Sequence, residues 1–310
     1  MGSPTVALLR SYMTAENSAI AAAPISVRGG LLQAAAGVAA FSLTLPSTAW
    51  GLESFGPWSL AALRTVLAAL IALAFLAGRR VPLPQRRHWA PLAVVAGGTV
   101  IGFPLLTTLA LGTSSTSHAA VVVGLLPLTT AVYGAVRGHR SPSRTFWYGA
   151  FAGAAVVIAF AVQQSGGGFS TADLYLFCAL LVCAAGYAEG GRLARELPGW
   201  QVVGWALAGS LPLAVAGGAV ALAYEPVRLT EHGVAGLVWV AAGSTFCGLY
   251  VWYRGMAAIG VARASQLQLA QPLLTLLWSV LLLGERLGPV AVVAAVAVLV
   301  CITVTQRARA

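Results

Sequence analysis

The chain has 310 residues, of which 59% are apolar and only 8% charged. A soluble protein carries roughly a quarter charged residues, so a soluble globular domain is excluded and the chain reads as an all-α integral membrane protein. Its formal charge of +10 comes from 18 basic residues, all Arg, set singly or in pairs between apolar runs. That is the pattern of loops held on one side of a membrane, not of a nucleic-acid surface.

In chain order, residues 1–29 come first. The apolar run 6–9 is too short for a cleaved signal peptide, and Arg28 interrupts the small-residue stretch that follows. This lead is expected at the cytoplasmic surface. A bilayer-spanning helix needs ~20 apolar residues. Ten such runs follow, at 31–50, 57–78, 89–111, 116–137, 144–164, 172–190, 200–223, 234–254, 262–283 and 288–305. Residues 306–310 form a tail.

Polar groups and prolines interrupt these runs at particular places. In the first run Ser42, Thr44, Ser47 and Thr48 surround Pro46, and Trp50 closes its end. Proline removes a backbone donor and frees a carbonyl, while the hydroxyls can equally bond back to their own helix. The second run carries Arg64, expected to snorkel toward the outer face or to pair with Glu53, in preference to a substrate role. In the third, Pro104 lies near Thr107 and Thr108. In the fourth, His118 stands at the start and Pro127 at mid-depth. The sixth holds Tyr187. The eighth places Phe246, Tyr250 and Tyr253 on one face, which is packing or a set of buried hydroxyls in need of partners. The ninth is the most specific: Ser265, Gln268, Pro272, Thr275 and Ser279 follow spacings of three and four and share a face, with Gln271 at its border and Gln266 farther round. In lipid a glutamine amide must be satisfied, so this face is turned toward a neighbouring helix or a cavity. The four cysteines, Cys178, Cys183, Cys247 and Cys301, all fall in apolar runs and read as small buried hydrophobes without metal-ligand spacing.

The chain is duplicated. Subtracting 145 carries 241–285 onto 96–140, with Pro272 on Pro127, Ala264 on Ala119, Leu273 on Leu128, Thr275 on Thr130 and Gly243 on Gly98. The halves run over 30–165 and 170–305. Orientation follows from Arg placement. With the N-terminus inside, Arg10, Arg28, Arg79, Arg80, Arg86, Arg87, Arg137, Arg140, Arg144, Arg192, Arg195, Arg254, Arg263, Arg307 and Arg309 lie on the cytoplasmic side, against Arg228 and Arg286 outside. Both termini are then cytoplasmic. Five spans per half is an odd number, so the second half is inserted upside down relative to the first, which predicts an inverted repeat around a central cavity.

Several functions are weighed and set aside. Ser114, Ser115, Ser117 and His118 cluster, but adjacent helical positions do not point at one another, and neither an acid nor an oxyanion loop accompanies them. An enzyme is therefore not expected, and no cofactor or metal is expected. A scaffold gives no reason for a repeat with a polar seam. The absence of a Walker loop argues against ATP as the motor, and few mid-membrane acids argue against recognition of lipophilic cations.

The run Arg263-Ala264-Ser265, then Pro272, then LLLGER at 281–286 resembles the end of an EamA-type repeat, and the ten helices in two halves resemble the drug/metabolite transporter superfamily. The first half departs from that pattern at Gly138-His139-Arg140. The resemblance implies a basket of helices whose first, third, fourth, sixth, eighth and ninth members line a cavity open alternately to either side. It also implies export of amino acids or other metabolites, with the aromatic amino-acid exporter branch as the leading expectation. The polar, aromatic and proline positions read above give the expected substrate-binding residues Ser42, Pro46, Trp50, Thr107, His118, Tyr187, Tyr250, Ser265, Gln268, Gln271 and Pro272, and the expected gating prolines Pro46, Pro127 and Pro272. The expected partners are a small-molecule substrate, an amino acid, and the lipid bilayer of the bacterial inner membrane, with a monomer as the functional unit. Exporters of nucleobases or amines and drug-efflux carriers are the alternatives.

Overall fold

The computed structural model describes residues 26–137, 143–164, 166–194, 196–259 and 267–307. Backbone polar groups in lipid must be paired within the segment that carries them, and the apolar runs accordingly form helices. They are α1 (Val27–Gly51), α2 (Pro57–Gly78), α3 (Arg86–Leu111), α4 (Thr116–Arg137), α5 (Arg144–Gln164), α6 (Thr171–Leu193), α7 (Gly199–Tyr224), α8 (Glu231–Met256), α9 (Gln271–Leu283) and α10 (Pro289–Arg307). Their starts are set by local chemistry. Ser115 and Thr230 accept from the backbone N–H groups of His118 and Gly233. Ser170 and Asp173 form a reciprocal capping box, and Pro57 occupies the first turn of α2, where its missing donor costs nothing. At the other end of α9, Gly284 takes the left-handed conformation (φ 66°) that only glycine adopts freely. The expected first eight runs match these helices to within a few residues. Of the ninth, residues 262–266 lie outside the described part.

The helices pair across the two halves, and they pair antiparallel. The start of α2 meets the end of α7, where Glu225 reaches the first turn of α2, and the end of α2 meets the start of α7 through Leu76 and Gly204. The start of α5 meets the end of α10 through Gly149 and Thr305, and the start of α4 meets the end of α9 through Thr116 and Glu285. In the same way α1 packs on α8, and α6 on α3. Moving five helices along the chain exchanges α1–α8 with α6–α3 and maps α2–α7, α4–α9 and α5–α10 onto themselves. Only a two-fold axis perpendicular to the helices does this to antiparallel partners. The fold is an inverted repeat with its axis in the membrane plane, as the odd span count requires.

Two local irregularities obey the same symmetry. Residues Ala96–Gly102 of α3 and Trp239–Gly248 of α8 are π-helical, and shifting the first stretch by 145 gives 241–247, inside the second. Turns interrupt α4 at Gly124-Leu125 and precede α9 at Leu269-Ala270, again 145 apart. Close contact at the wide turns rests on glycine: a side chain on Gly98 would collide with the Val182 carbonyl and Gly186 of α6.

The molecule has two faces. One carries the α2–α3 and α6–α7 connections with most of the arginines; we call it the arginine-rich face. The opposite, arginine-poor face is where the halves are most thoroughly tied. Glu225 accepts from Ser59 N and Oγ, both at 2.7 Å. Glu285 accepts from Thr116 N (2.7 Å) and Ser117 N (2.8 Å), so each acid neutralises a helix start of the other half. His118 Nε2 lies 2.7 Å from Asp173, and Ser54 is 3.0 Å from Thr230. Among the described residues the arginine-rich face is joined by pairs with exposed arginines, Arg137–Glu189 at 3.4 Å and Arg87–Glu196 at 3.3 Å.

Candidate functional site

Between the halves, at the depth of the wide turns, lies a cavity of about 100 Å³. Helices α1, α3, α4, α6, α8 and α9 contribute to its wall, as expected, and so do Arg64 of α2 and Val203 of α7. Small-ligand pockets commonly run to ~300–1,000 Å³, so the cavity is contracted and must widen to take a substrate.

Each irregularity of the fold delivers polar groups to this wall. The wide turns free carbonyls from regular helical bonding, and hydroxyls take them up: Thr99 donates to the Val95 carbonyl at 2.8 Å, and Thr245 to the Val240 carbonyl at 2.6 Å. Such turns recur at functional sites. Pro127 and Pro272 lack the N–H that would reach the carbonyls of Val123 and Gln268, and all four residues line the cavity. The two broken helices meet there, since a side chain on Gly124 would touch the Pro272 ring at 3.4 Å. Around them stand the amides of Gln268 and Gln271 and the rings of Phe41, Phe103, Tyr187 and Tyr253.

Arg64 is the most unusual group in the wall. It neither snorkels to the surface nor pairs with Glu53, correcting the expectation from sequence. It is 5% exposed, and Glu53 instead approaches His232 at 3.7 Å. Packing of α2 between α7 and α8 turns the side chain inward, where Nη2 donates to Thr245 Oγ1 at 3.1 Å. Its Nε and Nη1 have no partner among the described residues.

The residues expected at the site from sequence fall into three groups. Tyr187, Gln268, Gln271, Pro272 and Pro127 line the cavity. A second group is engaged within or between helices. The Ser42 hydroxyl donates to the Ala39 carbonyl (2.7 Å) and accepts from Trp278 Nε1 (2.9 Å). Its carbonyl, which Pro46 cannot serve, accepts from Thr275 Oγ1 of α9 at 2.9 Å, so Pro46 acts on a helix seam. The Thr107 hydroxyl donates back to the Phe103 carbonyl at 2.8 Å. Tyr250 packs edge-on against Phe75 at 5.3 Å and accepts from Arg254 at 3.3 Å. A third group sits at the arginine-poor face: His118 with Asp173, and Trp50 stacked on His232 at 5.1 Å. Ser265 lies outside the described residues. Sequence reasoning passed over Thr99, Ser244 and Thr245, whose exposure to the cavity depends on π turns that a 3.6-residue periodicity does not register.

The same architecture is found in known proteins. EamA-like transporter family sequences match this chain twice, over residues 28–162 and 170–306. The chain belongs to the EamA-like transporter family. Like other family members it is a multi-pass membrane transporter built from two EamA repeats, and the boundary between the matched segments falls in the α5–α6 connection. It is 40% identical over 274 residues to "Uncharacterized transporter YdeK" of Bacillus subtilis (strain 168), covering 87% of this chain and 94% of that one. A protein of known crystal structure shares the fold with a TM-score of 0.62 at 20% identity, over 90% of this chain and 97% of that one.

Proposed function

We propose that this EamA-family transporter exports amino acids, aromatic and other neutral ones, across the bacterial cytoplasmic membrane by alternating access. The observation that carries this reading is the cavity on the pseudo-two-fold axis, walled by both inverted halves and furnished with two amides and four aromatic rings. Gln268 and Gln271 would hydrogen-bond the backbone groups of an amino acid, and Tyr187, Tyr253 and Phe41 would receive its side chain. The imbalance of arginines supports a cytoplasmic position for the arginine-rich face and both termini. In that orientation the described ties toward the outside are buried or half-buried ones, made by Asp173, Glu225 and Glu285, and those toward the cytoplasm are pairs with exposed arginines. Opening to the cytoplasm, where cargo for export is loaded, is then the easier movement. Pro127 and Pro272 sit where α4 and α9 bend as the cavity widens.

Counterflow in proteoliposomes tests this. Vesicles preloaded with unlabelled amino acids should accumulate labelled phenylalanine, tyrosine or leucine transiently, and Gln268→Leu should lower the initial rate about tenfold, the worth of one or two lost hydrogen bonds. Exchange of nucleobases or amines in place of amino acids would overturn the reading.

A further inference from the structure

We propose that Arg64 is a carboxylate-binding residue, and that the cavity selects substrates bearing a free carboxylate. The inference rests on the reading of this cavity as the transport site, but not on the cargo being an amino acid.

Arg64 is the eighth residue of α2 (Pro57–Gly78). Seven residues at 1.5 Å each place it roughly 10 Å below the start of the helix, within the hydrocarbon depth of a bilayer. A guanidinium stays protonated under all ordinary conditions and offers five N–H donors. Here one meets Thr245, while Nε and Nη1 are buried and unpartnered among the described residues. A buried cation without a counter-charge is strongly unfavourable, so the group stands ready for an anion. The acids that could have served are engaged elsewhere: Glu225 on the start of α2, Glu285 on the start of α4, Asp173 with His118, and Glu53 beside His232. No carboxylate lines the cavity among the described residues.

Two further observations separate a binding role from a packing role. First, the side chain is aimed. Thr245 gives its only hydroxyl proton to the Val240 carbonyl across the π turn, at 2.6 Å. Its oxygen is left to accept from Arg64, which holds the guanidinium against the cavity wall. Second, the repeat is built without it. Aligning Trp58 with Trp200 places Arg64 opposite Ala206, which is buried at the same point of the partner helix. The fold therefore does not require a cation there. A planar carboxylate matches two N–H groups of the guanidinium at once, and a positively charged wall repels cationic drugs and amines.

The test uses the purified full chain in lipid nanodiscs and compares ligands on two scaffolds. One series is phenylalanine, 3-phenylpropanoate and phenylalaninamide; the other is leucine, 4-methylpentanoate and leucinamide. Binding is read as the shift in thermal unfolding midpoint. At least one of the four acids should raise the midpoint and neither amide should. Arg64→Gln should weaken acid binding about tenfold or more, since hydrogen bonds to a charged group carry that much. Arg64→Lys should retain part of it, and Thr245→Val should lose part of it with the cation intact. Acid and amide binding equally well would overturn the proposal, and that comparison needs no variant. So would undiminished acid binding by a folded Arg64→Gln protein, inorganic phosphate or chloride binding as tightly as the acids, or no shift with any acid. If 3-phenylpropanoate and 4-methylpentanoate bind but phenylalanine and leucine do not, Arg64 keeps its role and the amino-acid reading fails.

Discussion

Asp173 has no exposed surface and accepts hydrogen bonds from Ser170 N at 2.9 Å, Ser170 Oγ at 2.7 Å and His118 Nε2 at 2.7 Å. The His118 ring also stacks on Phe160 at 5.3 Å. One imidazole thus ties α4 and α5 of the first half to α6 of the second. His118→Ala removes a hydrogen bond to a buried carboxylate, worth about 1.5–3 kcal/mol. We expect its unfolding midpoint in nanodiscs to fall by several degrees, while Gln268→Leu, which alters only the cavity wall, leaves the midpoint unchanged. Equal midpoints for His118→Ala and the wild type would remove the latch. His118 was visible in the sequence as a polar residue at a helix start. Its pairing with Asp173 was not, because it joins positions 55 apart and depends on how α4 and α6 lie together. Arg64 shows the same limit. Its place inside a span was legible, but the direction of its side chain was decided by the neighbours of α2.

Among the elements, α3 and α8 are the least regular and stand closest to the chemistry. Their ordinary ends follow from composition and capping, so the ten spans could be read from apolar run length alone. The π turns could not, since they result from packing. Gly98 lets α3 approach α6 until backbones touch, whereas Gly97, its neighbour, faces open space. Gly98→Leu should therefore abolish the monodisperse peak in size-exclusion chromatography, and Gly97→Leu should leave it intact. Equal behaviour of the two would mean that the close approach is not needed for folding. The broken helices α4 and α9 were legible to a different degree. Their prolines announced themselves and the shift of 145 related them, but the contact between Gly124 and the Pro272 ring required the two halves to be assembled.

For the molecule as a whole, function depends on the difference between its faces. Exposed ion pairs contribute little, so the described arginine pairs of the arginine-rich face hold it only weakly. There the His88 ring and the arginines around it, Arg87 foremost, hold the Glu196 carboxyl below its ordinary value of 4.5. A depressed carboxylate stabilises the folded state above its unfolded pKa, and that contribution is lost as the pH falls through the folded value. A difference in midpoint between the wild type and Glu196→Gln should thus be full at neutral pH and should shrink as the pH drops below 4.5. A difference that grows toward acid pH would contradict the assignment. On the opposite face Asp173 is fully buried and Glu225 and Glu285 are half-buried on the helix starts they cap.

The central claim is that two oppositely inserted halves enclose the cavity. It is tested most directly by the sidedness of two equivalent loops. Leu83, after α2, and Leu229, after α7, are 76% and 72% exposed and occupy corresponding places in the two repeats. In a cysteine-free background, Leu83→Cys and Leu229→Cys are each treated with an impermeant thiol reagent, in intact cells and after permeabilisation. The account predicts that Leu229→Cys reacts in intact cells and Leu83→Cys only after permeabilisation. Labelling of both positions from the same side would mean that the halves are parallel, and would contradict it.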